Sequence, residues 1–304
     1  MDLRLLRYFM ACVEHKTMHA AAAAVHVSQP ALSKAVNNLE IGLGVKLLDR
    51  QPRGVVPTPY GESLFRYAKM IDSEMRRAVA EIDAMRGMTR GTIAVGVIPT
   101  MCAIMADVAC EVLDIHPGLK LQLRVGFSSE LTKSLRDGEV DIALILPPPD
   151  GELTGLTFDP LLRTDPVVAV RRSHPLADQP SLSLRDLASV RWAIPDYPVV
   201  HRKIIDRVFI DNGVPPPVSV IDMSTVVSFM ALIEKTDLVT IAPAALLFPA
   251  DENSRLVALN IDFKFPVEEV GIAYRENSTL LPGARVVIDL ARKHCHPLGQ
   301  SADR

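Results

Sequence analysis

Ser28-Gln29-Pro30-Ala31-Leu32-Ser33-Lys34-Ala35-Val36-Asn37-Asn38-Leu39 reads as one helix with two unlike faces. Ser28 supplies a hydroxyl suited to an N-cap, and Gln29 and Pro30 sit in the first turn, where proline's missing N–H costs nothing. Ala31, Leu32, Ala35, Val36 and Leu39 point one way; Gln29, Ser33, Lys34, Asn37 and Asn38 point the other. The polar face is short-chained and amide-rich, with one lysine. It suits the major groove of double-stranded DNA, where Gln and Asn can pair with adenine and Ser or Lys can meet other edges or phosphates. A solvated helix face has the same composition, so the flanking segments decide.

Upstream, Asp2 can cap a helix in which Leu3, Leu6, Phe9, Met10 and Val13 form an apolar face. Thr17 to Val25 follows as a small-residue helix able to approach its neighbours closely, and it breaks at His26-Val27. A small-residue helix, a short turn and a polar helix make a helix-turn-helix. Downstream, Leu43 to Pro59 reads as a β-ribbon with Val45, Leu47 and Leu48 before a turn at Gln51-Pro52-Arg53-Gly54, and Val55-Val56 after it. Arginine at a ribbon tip can enter an adjacent minor groove. Arg53 stands at that tip; Arg50 reads equally well as a structural ion-pair partner.

Ser28 to Ser33, Leu39-Glu40, Leu43 to Arg50, Arg53-Gly54-Val55 and Thr58-Pro59-Tyr60-Gly61 together resemble the amino-terminal signature of LysR-type transcriptional regulators. The match spans about sixty residues almost without gaps. Departures are mild: Leu48 stands where phenylalanine is usual, Pro59 where an acidic residue is common, and the alanine run at 20–24 is unusually uniform. The resemblance implies that Gln29, Pro30 and Ser33 approach base edges and that Arg53 enters the minor groove. Lys34, Asn37 and Arg50 complete the expected DNA-binding set, with Lys34 on phosphate.

Thr58, with proline directly after it, opens a further helix to about Arg86. Leu64, Ala68, Ile71, Met75, Ala78, Ile82 and Met85 alternate four- and three-residue steps, the seam of a coiled coil. Packing of that seam against its own domain is the alternative. A partner helix would give a homodimer, two half-sites and an interrupted palindrome; assembly as dimer or tetramer is expected. Gly87 and Gly91 bracket a hinge.

From residue 91, strand-like and helical runs alternate with short connections, the pattern of an α/β fold with parallel sheets. The family resemblance supplies the arrangement: a two-lobed α/β effector domain similar to periplasmic solute-binding proteins. The expected organisation is a winged helix-turn-helix over 1–58, a linker helix over 59–87 and an effector domain over 91–300. Its first lobe comprises 91–164 and 268–295, and its second 165–267. Effectors in such folds lie where strands end and helices begin, because free N–H groups and the helix dipole favour an anion there. The candidate residues are Thr100, Met101, Ser128, Ser129, Tyr197, His201, Arg202 and Ser224, for a small-molecule effector such as an organic carboxylate. Thr100, Ser128 and Ser224 read equally as helix caps, and His201 and Arg202 as solvent-facing.

Charge is unevenly placed. Residues 1–90 hold 13 Lys/Arg against 9 Asp/Glu, a balance of +4, leaving 20 against 27, a balance of −7, so that the chain totals −3. A basic reader joined to an acidic sensor fits this asymmetry. No apolar run reaches the roughly 18–20 residues of a membrane span, and the amino terminus lacks a signal-peptide core, so a cytoplasmic protein is expected. No glycine-rich phosphate loop, GxSxG or HExxH occurs, and the eight histidines show no metal spacing, which argues against an enzyme and against a metal or cofactor. Cys12, Cys102, Cys110 and Cys295 are scattered and read as small buried hydrophobes. None lies between Cys110 and Cys295, where the family's redox sensors carry their pair, so a ligand is the expected signal.

Overall fold

The computed structural model describes residues 2–51, 54–85, 91–147, 153–194, 200–221, 226–244, 255–276 and 278–295. The chain divides into two compact units: Met1–Met88 with Asp137–Glu139, and Thr89–Arg136 with Val140–Arg304.

The first unit runs α1 (Leu3–His15), α2 (Met18–Ala24), α3 (Gln29–Leu43), β1 (Leu48–Gln51), β2 (Gly54–Pro57) and α4 (Pro59–Met85). Three starts are capped by side chains: Asp2 accepts the Arg4 N–H at 2.8 Å, Thr17 that of Ala20 at 3.2 Å, and Ser28 that of Ala31 at 3.4 Å. Gly44, left-handed at φ 72°, ends α3. Phe9, Cys12, Ala21, Ala22, Leu32, Val36, Leu39, Leu47 and Val55 share one core. Ala21 and Ala22, buried without a long side chain, let α2 pack closely. The ribbon is shorter than the sequence suggests, pairing only from Leu48↔Pro57 to Gln51↔Gly54. The Leu47 N–H, just before the ladder, is bound by the Glu40 carboxylate.

In the second unit, β3 (Gly91–Val97), β4 (Leu119–Val125), β5 (Ile142–Ile145), β6 (Leu156–Thr164) and β10 (Glu268–Arg275) form one sheet in the order β4-β3-β5-β10-β6. A second sheet has the order β8-β7-β9, from β7 (Pro166–Arg171), β8 (Thr240–Pro243) and β9 (Leu256–Ala258). Parallel bridges from Trp192 to Ser219 and Val239 extend it. Helices α5 (Cys102–Ile115), α6 (Ser128–Arg136), α7 (Leu184–Ala188), α8 (Val200–Asp211), α9 (Val226–Ile233) and α10 (Pro282–Cys295) complete the unit. The sheets are mixed rather than parallel: β3 runs parallel to β4 and β5, whereas β10 returns antiparallel to β5 and β6. Strand β6 is absent from the sequence reading because Asp159-Pro160 interrupts it like a turn. As an edge strand it tolerates proline, and Pro160 lies opposite Gly271 where the register shifts. The second sheet packs on Trp192, Phe209, Ile205 and Leu187. Trp192 lies edge-on to Phe209 at 6.2 Å and donates its indole N–H to the Leu187 carbonyl at 2.7 Å.

Candidate DNA-reading and effector-binding sites

Helix α3 buries Leu32, Val36, Leu39 and Glu40 and presents Gln29, Pro30, Lys34 and Asn37 to solvent. Pro30, Lys34 and Asn37 follow four- and three-residue steps and so share a face. Ser33, on the same side, is half-buried and already engaged in an interaction. Arg50 lies opposite Val55 in the ribbon ladder; its side chain, and all of Arg53, fall outside the described residues.

The sequence reading missed how the ribbon is held. Glu40 Oε1 accepts from the N–H groups of Leu47 at 2.8 Å and Leu48 at 3.2 Å, and Oε2 from Lys46 Nζ at 2.7 Å. Burial raises the Glu40 carboxyl pKa, but these donors outweigh it and hold the group below its ordinary value. The signal was an acid four residues after Val36, on the apolar face. On the other strand, the Val55 N–H donates to the Lys16 carbonyl at 2.8 Å. A Cβ on Gly54, which has φ 143°, would collide with that same carbonyl oxygen. Thr58 caps α4, accepting the Gly61 N–H at 3.1 Å, and also donates to the Lys46 carbonyl at 2.7 Å.

The proposed coiled-coil seam of α4 divides in two. Leu64 packs on the core of the reading head, and Ala68, only 1% exposed, lies with Ile71 and Met75 against Leu3, Leu6 and Met10 of α1. Leu64, Ala68 and Ile71 bury much of their apolar surface within their own domain, and an Arg7–Asp72 ion pair at 3.1 Å borders them. Ala78 and Ile82 are exposed, Ile82 by 56%, beside Val79 at 55% and Met75 at 42%.

In the second unit β3 and β4 end side by side. β3 leads into a 3-10 turn, Pro99–Met101, and β4 into the start of α6, which brings Thr100, Ser128 and Ser129 to one sheet edge. The Ile98 N–H donates to the Leu144 carbonyl at 3.1 Å and the Gly126 N–H to that of Val97 at 3.2 Å, which fixes both turns. Ser128 is structural: its Oγ accepts the Leu146 N–H at 3.0 Å, and its carbonyl accepts Thr132 Oγ1–H at 2.6 Å. Met101, 2% exposed, belongs to the core rather than to an open cleft. Thr100 Oγ1 and Ser129 Oγ are buried and have no hydrogen-bond partner among the described residues. Neither caps a helix.

Arg202 pairs with Asp206 on its own helix at 2.9 Å, so its charge is partly neutralised. His201 lies in the first turn of α8 with its side chain outside the described residues, as are Tyr197 and Ser224 entirely. Cys12 and Cys295 are buried, burial pushing the Cys295 thiol up to about 11; Cys102 is half-buried, with its thiol also raised by burial. Cys110 is exposed, contrary to the sequence reading, because it falls on the outer face of α5, whose inner face is Met105, Val108 and Val112.

A polar reading helix beside a ribbon, and a two-sheet domain with buried hydroxyls at a strand edge, define a DNA-binding regulator with an effector domain. Residues 3–62 match the model for the bacterial regulatory helix-turn-helix protein, lysR family, and residues 86–296 that for the LysR substrate binding domain. The HTH-type transcriptional regulator GbpR of Azospirillum brasilense is 30% identical over 96% of this chain and 86% of its own. Full-length OxyR from Pseudomonas aeruginosa superposes with a TM-score of 0.69 at 21% identity, over 98% of this chain and 97% of that one. Full-length CbnR in complex with its target DNA gives 0.68 at 22% identity, over 97% of this chain and 100% of that one. The chain belongs to the LysR family of transcription regulators. Its activity is regulation of transcription through DNA and a small-molecule effector, not catalysis. Among the described residues, no helix is long and apolar enough to cross a membrane.

Proposed function

We propose that Gln29, Pro30, Ser33, Lys34 and Asn37 enter the major groove of an interrupted palindromic operator, with Arg53 and Arg50 reaching the flanking minor groove, and that a small organic anion sensed at Thr100 and Ser129 controls this binding. The regulator works in the cytoplasm. Residues 1–58 read DNA, 59–87 link the heads, and 91–300 sense. The observation that carries the effector site is the pair of buried hydroxyls at one sheet edge without partners among the described residues, since a buried polar group left unpaired costs about 1–3 kcal/mol. An anion there would be met by these donors and by the N–H groups opening α6. Ser128 shapes the edge through Leu146. Tyr197, His201, Arg202 and Ser224 would close the site from the second lobe.

Self-association is supported by the exposed outer half of α4, with Met75, Val79 and Ile82. It is further supported by open apolar residues on the effector domain: Leu123 and Val125 on edge strand β4, and Val218 and Val220 beside the second sheet. A dimer through α4 and a tetramer through the effector domains account for both surfaces. Effector binding then shifts the population between arrangements of the heads, by as much as its affinity for them differs.

The test is thermal-shift screening of the full chain with aromatic and aliphatic carboxylates and sugar acids, repeated in Thr100→Ala, Ser129→Ala and Arg202→Ala. A ligand at a hundredfold excess over its Kd should stabilise the wild type by about 2.7 kcal/mol. Loss of that gain in Thr100→Ala and Ser129→Ala is the expected outcome. A hit that survives both substitutions would move the site elsewhere.

A further inference from the structure

Glu40 and Thr58 grip opposite edges of one short segment. Glu40, 7% exposed in the recognition helix, binds the N–H groups of Leu47 and Leu48 and the Lys46 ammonium. Thr58, 8% exposed and directly before α4, donates its hydroxyl to the Lys46 carbonyl and its own N–H to the Leu47 carbonyl at 2.9 Å. Gly61, in the first turn of α4, approaches Leu47 so closely that a Cβ would collide with the same carbonyl oxygen. Residues 46–48 are thus tied on their N–H side to α3 and on their carbonyl side to the start of α4, and they run straight into β1.

Placement of the acid argues that this is more than packing. A carboxylate in the last turn of a helix opposes the helix dipole, and burying its charge is costly in addition. Its Lys46 partner is 70% exposed and adds little by itself. What Glu40 supplies is a carboxylate whose Oε1 accepts both backbone donors of a neighbouring segment while Oε2 holds the Lys46 ammonium.

We propose that Glu40 and Thr58 are positioning residues for operator reading, making Lys46–Leu47–Leu48 a rigid joint. The joint sets the angle of the ribbon against the recognition helix and couples both to α4. This rests on the reading of Arg53 as a minor-groove contact. Positioning differs from stabilisation in one measurable way: it changes how much Arg53 contributes, whereas a loss of stability lowers every affinity in a background alike.

The experiment measures affinity of the full chain for a duplex that the wild-type protein selects from a random pool. Wild type, Glu40→Gln, Thr58→Val and Thr58→Ser are each compared with and without Arg53→Ala, and with and without Gln29→Ala. Arg53→Ala should weaken the wild type tenfold or more, but Glu40→Gln and Thr58→Val backgrounds threefold or less. Thr58→Ser, which retains the hydroxyl, should restore the full loss. Gln29→Ala should cost the same factor throughout, because Gln29 shares its helix with Glu40. Should Glu40→Gln fail to fold, the Thr58 pair carries the test. An Arg53→Ala factor equal in all backgrounds overturns the joint and leaves the ribbon reading intact. Silence of Arg53→Ala in the wild type itself overturns the ribbon reading and the joint together.

Discussion

Side chains of the same kind stand at helix starts in both units, and they meet opposite fates. In the reading head, Asp2, Thr17, Ser28 and Thr58 each accept a backbone N–H of the helix that follows. In the effector domain, Ser183 does likewise within a capping box with Asp186, but Thr100 Oγ1 and Ser129 Oγ are buried without partners among the described residues. The head uses its short polar side chains to fix shape, because a reader must present its contacts in one geometry before DNA arrives. The sensor leaves two hydroxyls at one strand edge without partners among the described residues, as the effector site proposed there requires. Polar satisfaction, more than residue type, separates the two roles.

The sharpest way to break this contrast is to disturb the rigid side. A methyl group on Gly61 would strike the Leu47 carbonyl, so Gly61→Ala should destabilise the head by about 3 kcal/mol, the scale of overpacking. Trp192 is the chain's only tryptophan and is fully buried in the effector domain. The head's transition is therefore the part of far-UV circular dichroism melting that tryptophan fluorescence does not follow. That part should move to lower temperature while the fluorescence transition stays in place. Movement of both together would mean that the head does not unfold on its own.

Smaller effects should have opposite signs in the two units. Ser28→Ala removes a working cap and should cost about 1 kcal/mol in the head. Ser129→Ala and Thr100→Val remove hydroxyls that bond to nothing among the described residues, and should leave the unliganded effector domain as stable as wild type or slightly more so. The fluorescence midpoint in urea reads the second pair. A loss from Ser129→Ala equal to that from Ser28→Ala would place Ser129 among ordinary caps and remove the contrast.

How much could be read beforehand follows the same division. The head was legible because its signals are local: caps, a small-residue helix and an apolar face all lie within one turn of the residues they organise. Glu40 escaped because its partners, Leu47 and Leu48, become neighbours only once the chain reverses after Gly44. In the effector domain the strands were visible from their apolar runs, but their directions were not. Antiparallel β10 enters between β5 and β6 from more than a hundred residues away, and Asp159-Pro160 disguised β6 as a turn. Thr100, Ser128 and Ser129 follow the ends of β3 and β4, a juxtaposition that strand-then-helix order alone suggests. Which of them is already engaged could not be read, because Ser128 is held by Leu146, a contact between the start of α6 and the residue that follows β5.

The subtlest test concerns proton binding in the head. Hydrogen bonds from Lys46, Leu47 and Leu48 outweigh burial and hold Glu40 below the ordinary glutamate value of 4.5. A carboxyl whose pKa is depressed by folding gives stability that is present above the unfolded value and is lost as pH falls through the folded one, because the unfolded chain binds the proton first. Glu40→Gln carries no such proton. The wild-type head should thus melt above the Glu40→Gln head at pH 6 to 7, and the gap should close as pH is lowered from about 4.5 through the folded value. The effector-domain transition, followed by Trp192, should show no such difference between the two proteins at any pH. A gap that stays constant down to pH 3 would mean that the carboxylate's charge contributes nothing, and that Glu40 holds the ribbon by shape alone.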